Sequence, residues 1–271
     1  MFALCLRHAI QERGGSVWKL AAGIIFGLAL ELFSIWQYQG YSYGEFTLMI
    51  LNVPLVIGVA WGNQLYAIRL YSDTTDLPAR AKPVLDALLI ILLDLIVDPM
   101  AIRLGFWRWR GLALDDQFFG VPFGNLLGFF CLMVAYSGTL RLVRNRESWK
   151  WRLVGPALAI LSGLMTLIVT GPLIGLAPVQ RLVPAVTVTT LLGASGYIIL
   201  KRPQFERSAN VATVSVLILS SAYYVITGLV SMTILDPPAL LLVGLTVLLC
   251  SIALSTSRRN PSADGRHDLA A

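Results

Sequence analysis

Charge is scarce in this chain: Asp, Glu, Lys and Arg make up 13% of its 271 residues, against roughly 25% in an ordinary soluble domain. Histidine is scarcer still. His8 and His267 lie in the terminal segments, outside every long apolar run, which excludes the imidazole clusters of di-iron desaturases and hydroxylases and the axial ligands of b-type haem proteins. Lys19, Lys82, Lys150 and Lys201 sit near the ends of apolar runs, so no buried lysine is available for a Schiff base with a retinal-type chromophore. Cys5, Cys131 and Cys250 are isolated, fit neither a CxxC motif nor a disulfide framework, and read as small hydrophobes. No metal site and no cofactor is expected.

What the chain has instead is apolar length. Hydrophobic residues make up 56% and the mean hydropathy is +0.73, the composition of an integral membrane protein. Runs of about 20 residues, enough to span a bilayer at 1.5 Å per residue, occur near 18 to 36, 47 to 67, 83 to 104, 121 to 140, 153 to 176, 181 to 200, 211 to 231 and 239 to 256. The predicted fold is an all-α, polytopic transmembrane bundle of about eight spans. Gly171, Pro172, Gly175 and Pro178 could turn the link between the fifth and sixth spans into a re-entrant bend. The expected organisation is a cytoplasmic segment over 1–17, one membrane domain over 18–256, and a disordered cytoplasmic tail over 257–271, rich in Ser, Arg, Asn and Asp.

Lys and Arg report orientation. Arg7, Arg13, Lys19, Arg69, Arg80, Lys82, Arg141, Arg144, Arg146, Lys150, Arg152, Lys201, Arg202, Arg207, Arg258, Arg259 and Arg266 fall on one side of an eight-span arrangement, and only Arg103, Arg108, Arg110 and Arg181 on the other. The positive-inside rule then puts both termini in the cytoplasm of a multi-pass cell-membrane protein. A net charge of +6 spread over short loops without interleaved aromatics suits anionic lipid headgroups rather than nucleic acid. The first twenty residues lack the pattern of a cleaved signal peptide, so the first span is expected to be retained.

Against this apolar background stand three carboxylates, Glu31, Asp94 and Asp98, each inside a predicted span. A charged residue at a helix centre costs about 2.5 to 3.5 kcal/mol on insertion scales, which marks these positions as functional. Asp86, Asp94 and Asp98 share one stripe of the third span, and Asp94 and Asp98 are one turn apart. Two carboxyls that close in low dielectric cannot both ionise cheaply, so one is expected to be protonated at physiological pH. Pro99 removes an amide and is expected to bend the helix beside Asp98.

Glu31 lies about 20 Å along the first span and Asp98 about 22 Å along the third, both in the outer half. Asn52 and Asn125 lie about 8 Å into the second and fourth spans, at a similar level. Tyr41, Tyr43, Trp107 and Trp109 stand in the adjoining outer loops, where they serve either as an interfacial belt or as π faces for a carbocation above an acid. Polar glue between helices is the plain structural use of such carboxylates. A proton-coupled transporter would use them too, although no matching pair of interrupted spans recurs in the two halves. A prenyltransferase would place its magnesium-binding aspartates at the cytoplasmic face, unlike Asp94 and Asp98.

The run from Leu92 to Trp109, with AspXaaXaaXaaAspPro at 94 to 99 and TrpXaaTrp at 107 to 109, and the run from Phe118 to Phe129 resemble the membrane-bound carotenoid biosynthesis family that includes carotenoid 1,2-hydratases and bisanhydrobacterioruberin hydratases. Glu31, TyrSerTyrGly at 41 to 44, Pro54 and Trp61 occupy matching places upstream, so the resemblance covers about 25 to 140. Phe129 and Leu93 stand where that family carries Trp. The resemblance implies an enzyme without metal or redox cofactor, a hydro-lyase that adds water to a terminal C=C of an acyclic carotenoid. Asp98 would be the acid, with Asp94 beside it. Glu31 or Asn125 would position water, and Tyr41, Tyr43, Trp61, Trp107, Trp109, Phe119 and Phe129 would surround the substrate. The partners implied are the bilayer, a carotenoid or other isoprenoid dissolved in it, and other carotenoid enzymes.

Overall fold

A computed structural model describes residues 1–12, 16–38, 40–143, 149–205 and 210–256; the expected disordered tail lies outside them. The helices are α1 (Phe2–Gln11), α2 (Ser16–Tyr38), α3 (Leu55–Asp73), α4 (Lys82–Arg103), α5 (Phe123–Leu142), α6 (Trp149–Gly175), α7 (Ala177–Gln180), α8 (Val183–Leu200), α9 (Val211–Val230) and α10 (Pro238–Thr256). Short strands β1 (Tyr41–Tyr43), β2 (Met49–Ile50), β3 (Val53–Pro54) and β4 (Trp107–Trp109) lie in the loops. The fold is all-α, as composition requires.

Among the described residues six helices, α2, α5, α6, α8, α9 and α10, are long and apolar enough to cross a membrane. The other two runs expected to span form α3 and α4, of 19 and 22 residues, whose Asn63, Gln64, Arg69 and Asp73, and Asp86, Asp94 and Asp98, dilute their apolar character. The eight expected segments are thus all helical, but apolarity marks only six. Residues 47–54, expected as the start of the second span, form the β2–β3 hairpin instead, with Leu51 at φ +55° in the turn. Pro54 cannot donate an intrahelical hydrogen bond and caps α3 in an extended conformation. Asn52 is therefore exposed at the hairpin turn rather than inside the bundle. Helix α6 runs through Gly171 and Pro172 to Gly175, and the single turn of α7 closes the link to α8.

Hydrogen bonds between loops define two faces. On one, which we call distal, β1 pairs with β4, and Arg103 at the end of α4 donates to the carbonyls of Phe119 (2.7 Å), Leu114 (2.9 Å) and Asp236 (3.2 Å). On the proximal face, Arg141 at the end of α5 reaches Asp73 at the end of α3, and Thr75 bridges to Phe205 after α8. Helix α1 was not expected. It packs against α2, α3 and α9, burying Cys5 and Ala9, and His8 Nδ1 pairs with the Tyr66 hydroxyl at 2.8 Å.

Small residues set the α2–α3 contact, as is usual where lipid leaves no hydrophobic drive between helices. A Cβ on Gly27 would lie 2.3 Å from Cβ of Trp61, and one on Gly58 2.4 Å from Leu28. The approach lets the Trp61 ring lie across α2 one turn before Glu31. The central core of Phe26, Leu30, Leu93, Leu132 and Met133 fills the bundle, with Phe26 stacked on Tyr136 at 4.5 Å.

The proximal half holds a buried charge cluster. Arg141 meets Asp73 at 2.5 Å, Asp86 at 2.7 Å and Ser72 at 2.6 Å, Ser137 donates to Asp86, and Arg69 lies 3.8 Å from Asp73. Asp86 is thereby separated from Asp94 and Asp98, with which it shares a helix face in sequence. Removing one partner of a buried pair strands the other. Arg141→Met is expected to destabilise the detergent-solubilised protein by about 3–5 kcal/mol, and adding Asp86→Leu to recover part of that loss, both read by thermal unfolding.

Candidate active site

The strands β1 and β4 turn a sequence pattern into a surface. Their antiparallel register sets Tyr41 opposite Trp109, Ser42 opposite Arg108 and Tyr43 opposite Trp107. Because side chains alternate along a strand, the four aromatics share the inner face, while Ser42 and Arg108 face outward and are exposed. Tyr41 and Trp109 ring centroids lie 4.8 Å apart, and those of Tyr43 and Trp107 5.9 Å. The bond from Gly44 N to Phe106 O (2.9 Å) and that from Arg110 N to Gly40 O (2.7 Å) extend the ladder at either end.

Beneath this sheet lies a cavity of about 380 Å³. Glu31, Asp94 and Asp98, all buried, line it together with Asn125 from α5. Tyr41, Tyr43, Trp61, Trp107, Trp109 and Phe129 supply its aromatic wall. Phe119 does not belong to that wall. Its backbone sits at φ +50°, its carbonyl accepts from Arg103, and its ring packs toward Ile96 and Met100 on the far side of α4.

Each carboxylate has a distinct environment. Both oxygens of Glu31 accept hydrogen bonds: Tyr41 and Tyr43 hydroxyls donate to Oε2, the latter at 2.8 Å, and Trp61 Nε1 donates to Oε1 at 2.9 Å. Burial, reinforced by the neighbouring Glu31, holds both tyrosine phenols well above their ordinary pKa, so they remain donors. Asp98 accepts from Asn125 Nδ2 at 2.9 Å, and Asp94, one turn earlier on α4, lines the same cavity. Asp94 Oδ2 is buried without a partner among the described residues. Helix α4 continues through Pro99, so the aspartates keep their i, i+4 relation.

Sequence reasoning missed part of the lining. Ser220, Tyr223 and Tyr224 of α9 and Gln64 of α3 border the cavity, as does Met1. The signal was present as SerSerAlaTyrTyr at 220 to 224 and as a glutamine in mid-helix, polar or amphipathic groups where lipid-facing residues would be apolar. Val56 of α3 and Tyr223 of α9, which also line the cavity, are 53% and 50% exposed. Deeper, Thr213 Oγ1 donates to the Ala67 carbonyl at 3.1 Å and closes the proximal half of the α3–α9 seam. Among the described residues no three His, Cys, Asp or Glu side chains converge as a metal site.

The Glu31 cluster yields a test of its geometry. Gly27→Ala is expected to push Trp61 off Glu31 and to destabilise the protein more than Trp61→Phe. The latter removes one donor to a buried carboxylate, worth about 1–3 kcal/mol. Thermal unfolding of both variants checks the order.

Residues 2–196 match the family described as "Carotenoid biosynthesis protein". The chain is also 31% identical over 121 residues to a bisanhydrobacterioruberin hydratase of Haloarcula japonica. That alignment covers 38% of this chain and 40% of the relative, so the chain spans well under two thirds of the curated protein it matches. No solved structure matches. The family match runs from α1 into α8 and takes in every residue expected at the site, and on that basis the chain belongs to the carotenoid biosynthesis protein family.

Proposed function

We propose that this protein is a carotenoid hydratase, adding water across a terminal C=C of an acyclic end group without metal or redox cofactor. The observation that carries the reading is a single cavity in which Asp94 and Asp98 lie one turn apart, Asn125 donates to Asp98, and an aromatic wall stands above them. Alkene hydration needs a positioned acid, a shield for a tertiary cation and one delivered water, and this cavity has a candidate for each.

In the proposed reaction Asp98 donates its proton to the less substituted alkene carbon. The positive charge develops on the tertiary carbon, facing the rings of Tyr41, Tyr43, Trp107 and Trp109. Three of the aromatic groups around it, Tyr41, Tyr43 and Trp61, donate to Glu31, and a carboxylate behind a phenol or indole enriches the ring in electron density. Glu31 thus acts through the aromatic wall, and because its oxygens already serve three donors, Asn125 is the better group to orient water. Water forms the C–O bond, and the resulting oxonium returns a proton to the aspartate pair. The product is a tertiary alcohol and the acid is regenerated.

Helices α3 and α4 cross the membrane with the six apolar ones in this reading, because Asn63, Arg69, Asp86, Asp94 and Asp98 are buried inside the bundle rather than facing lipid. The distal face is extracytoplasmic, and the proximal face, with the start of α2 and the end of α10, is cytoplasmic. A polyene dissolved in the bilayer would insert its end group past Val56 and Tyr223, leaving its length in lipid. A proton-coupled transporter would use the same carboxylates, but α4 and α6 run unbroken through their prolines.

Mass spectrometry of pigments from a carotenoid-producing bacterial host tests the proposal. The wild type is expected to yield a polyene heavier by one water, and Asp98→Asn to lower its formation by about 10²–10⁴-fold. Glu31→Gln should lower it less, since it leaves the acid in place. Product in broken membranes separates an enzyme from a transporter, which needs a sealed compartment; full activity of Asp98→Asn would remove the acid assignment.

A further inference from the structure

A second cavity, of about 760 Å³, lies between α5, α6 and α8 and meets the first along Tyr41, Trp109, Asn125 and Phe129. The mouths of the two cavities differ in chemistry. The first opens beside Val56 and Tyr223, whereas Gln117, Gln180 and Arg181, all exposed, stand at the distal opening of the second. Its inner wall is cut away by Gly128, which is buried although a Cβ there would meet nothing within 4 Å. The shared partition carries groups that call for water. Trp109 Nε1 is buried without an acceptor among the described residues, and Asn125, which donates to Asp98, lines both cavities.

We infer that this second cavity is an aqueous vestibule, through which water from the distal face reaches Asn125 while the polyene occupies the first cavity from the bilayer. The inference rests on the hydratase reading for its purpose, though not for its existence. An end group filling the apolar cavity expels bulk water from it, so the water that captures the cation needs its own path. A separate path also meters supply: water arrives at the amide beside Asp98, on one side of the cation, and the lipid-facing mouth stays dry.

The test uses the full chain in sealed vesicles, with Cys5, Cys131 and Cys250 replaced by alanine and Gly128→Cys introduced. A charged, membrane-impermeant methanethiosulfonate applied to the distal side is expected to label Gly128→Cys and to leave Val56→Cys unlabelled, while a lipid-soluble maleimide labels Val56→Cys. Labelling of Gly128→Cys only by the lipid-soluble reagent would overturn the vestibule and make the cavity a lipid or polyene groove. Gly128→Phe, which plugs the space, is expected to cut hydration at least tenfold while polyene binding, followed by quenching of tryptophan fluorescence, persists. Unchanged hydration by a folded Gly128→Phe would also overturn it. Because labelling needs no turnover, distal labelling in a chain that makes no hydrated pigment sinks the hydratase reading and leaves the aqueous cavity standing.

Discussion

A carboxyl group held inside a helical bundle in a bilayer must be given hydrogen-bond partners by the protein, because the surrounding hydrocarbon offers none. Much of the distal half is organised around that constraint. Glu31 of α2 is served by donors from β1 and α3, and Asp98 of α4 by Asn125 of α5. Five elements thereby contribute to one layer. The same constraint operates in the proximal half with a different solution, since Asp86 and Asp73 are neutralised by Arg141 and Arg69. One polar layer is closed by ion pairs, and the other lines an open cavity.

That difference explains why one helix serves two purposes. Asp86 lies on the same face of α4 as Asp94 and Asp98, but the helix passes from a basic environment into an aromatic one within three turns. Asp86 is held by Arg141 and Ser137, whereas Asp94 and Asp98 face a cavity that Asn125 and the aromatic rings also line.

The aromatic wall depends on features distant in sequence. Tyr41 and Tyr43 follow α2, Trp107 and Trp109 follow α4, and only strand pairing brings them to one surface. Arg103, bonded to three loop carbonyls, holds the distal loops together, and Gly27 gives Trp61 room to reach Glu31. Helix α9, beyond the matched family region, completes the cavity with Tyr223 and Tyr224. A site read only from the stretch that resembles relatives would lack that side.

Apolar run length determined the helices, because a backbone in hydrocarbon must satisfy its own hydrogen bonds and a run of about 20 apolar residues does so as a helix. The rarity of intramembrane charge singled out Glu31, Asp94 and Asp98, and helical periodicity set the aspartates one turn apart. Where periodicity was weak, inference from sequence drifted. The β2–β3 hairpin looked like the start of a span because Met49, Ile50 and Leu51 are apolar, and Phe119 was expected in the lining because it falls within the run from Phe118 to Phe129 that carries the family resemblance. Only the tertiary structure decided which side of α4 received the Phe119 ring, how the two aromatic pairs met, and which carboxylate gained arginines rather than an amide. Those outcomes depend on contacts between residues 16 to 68 positions apart, and no local pattern encodes them.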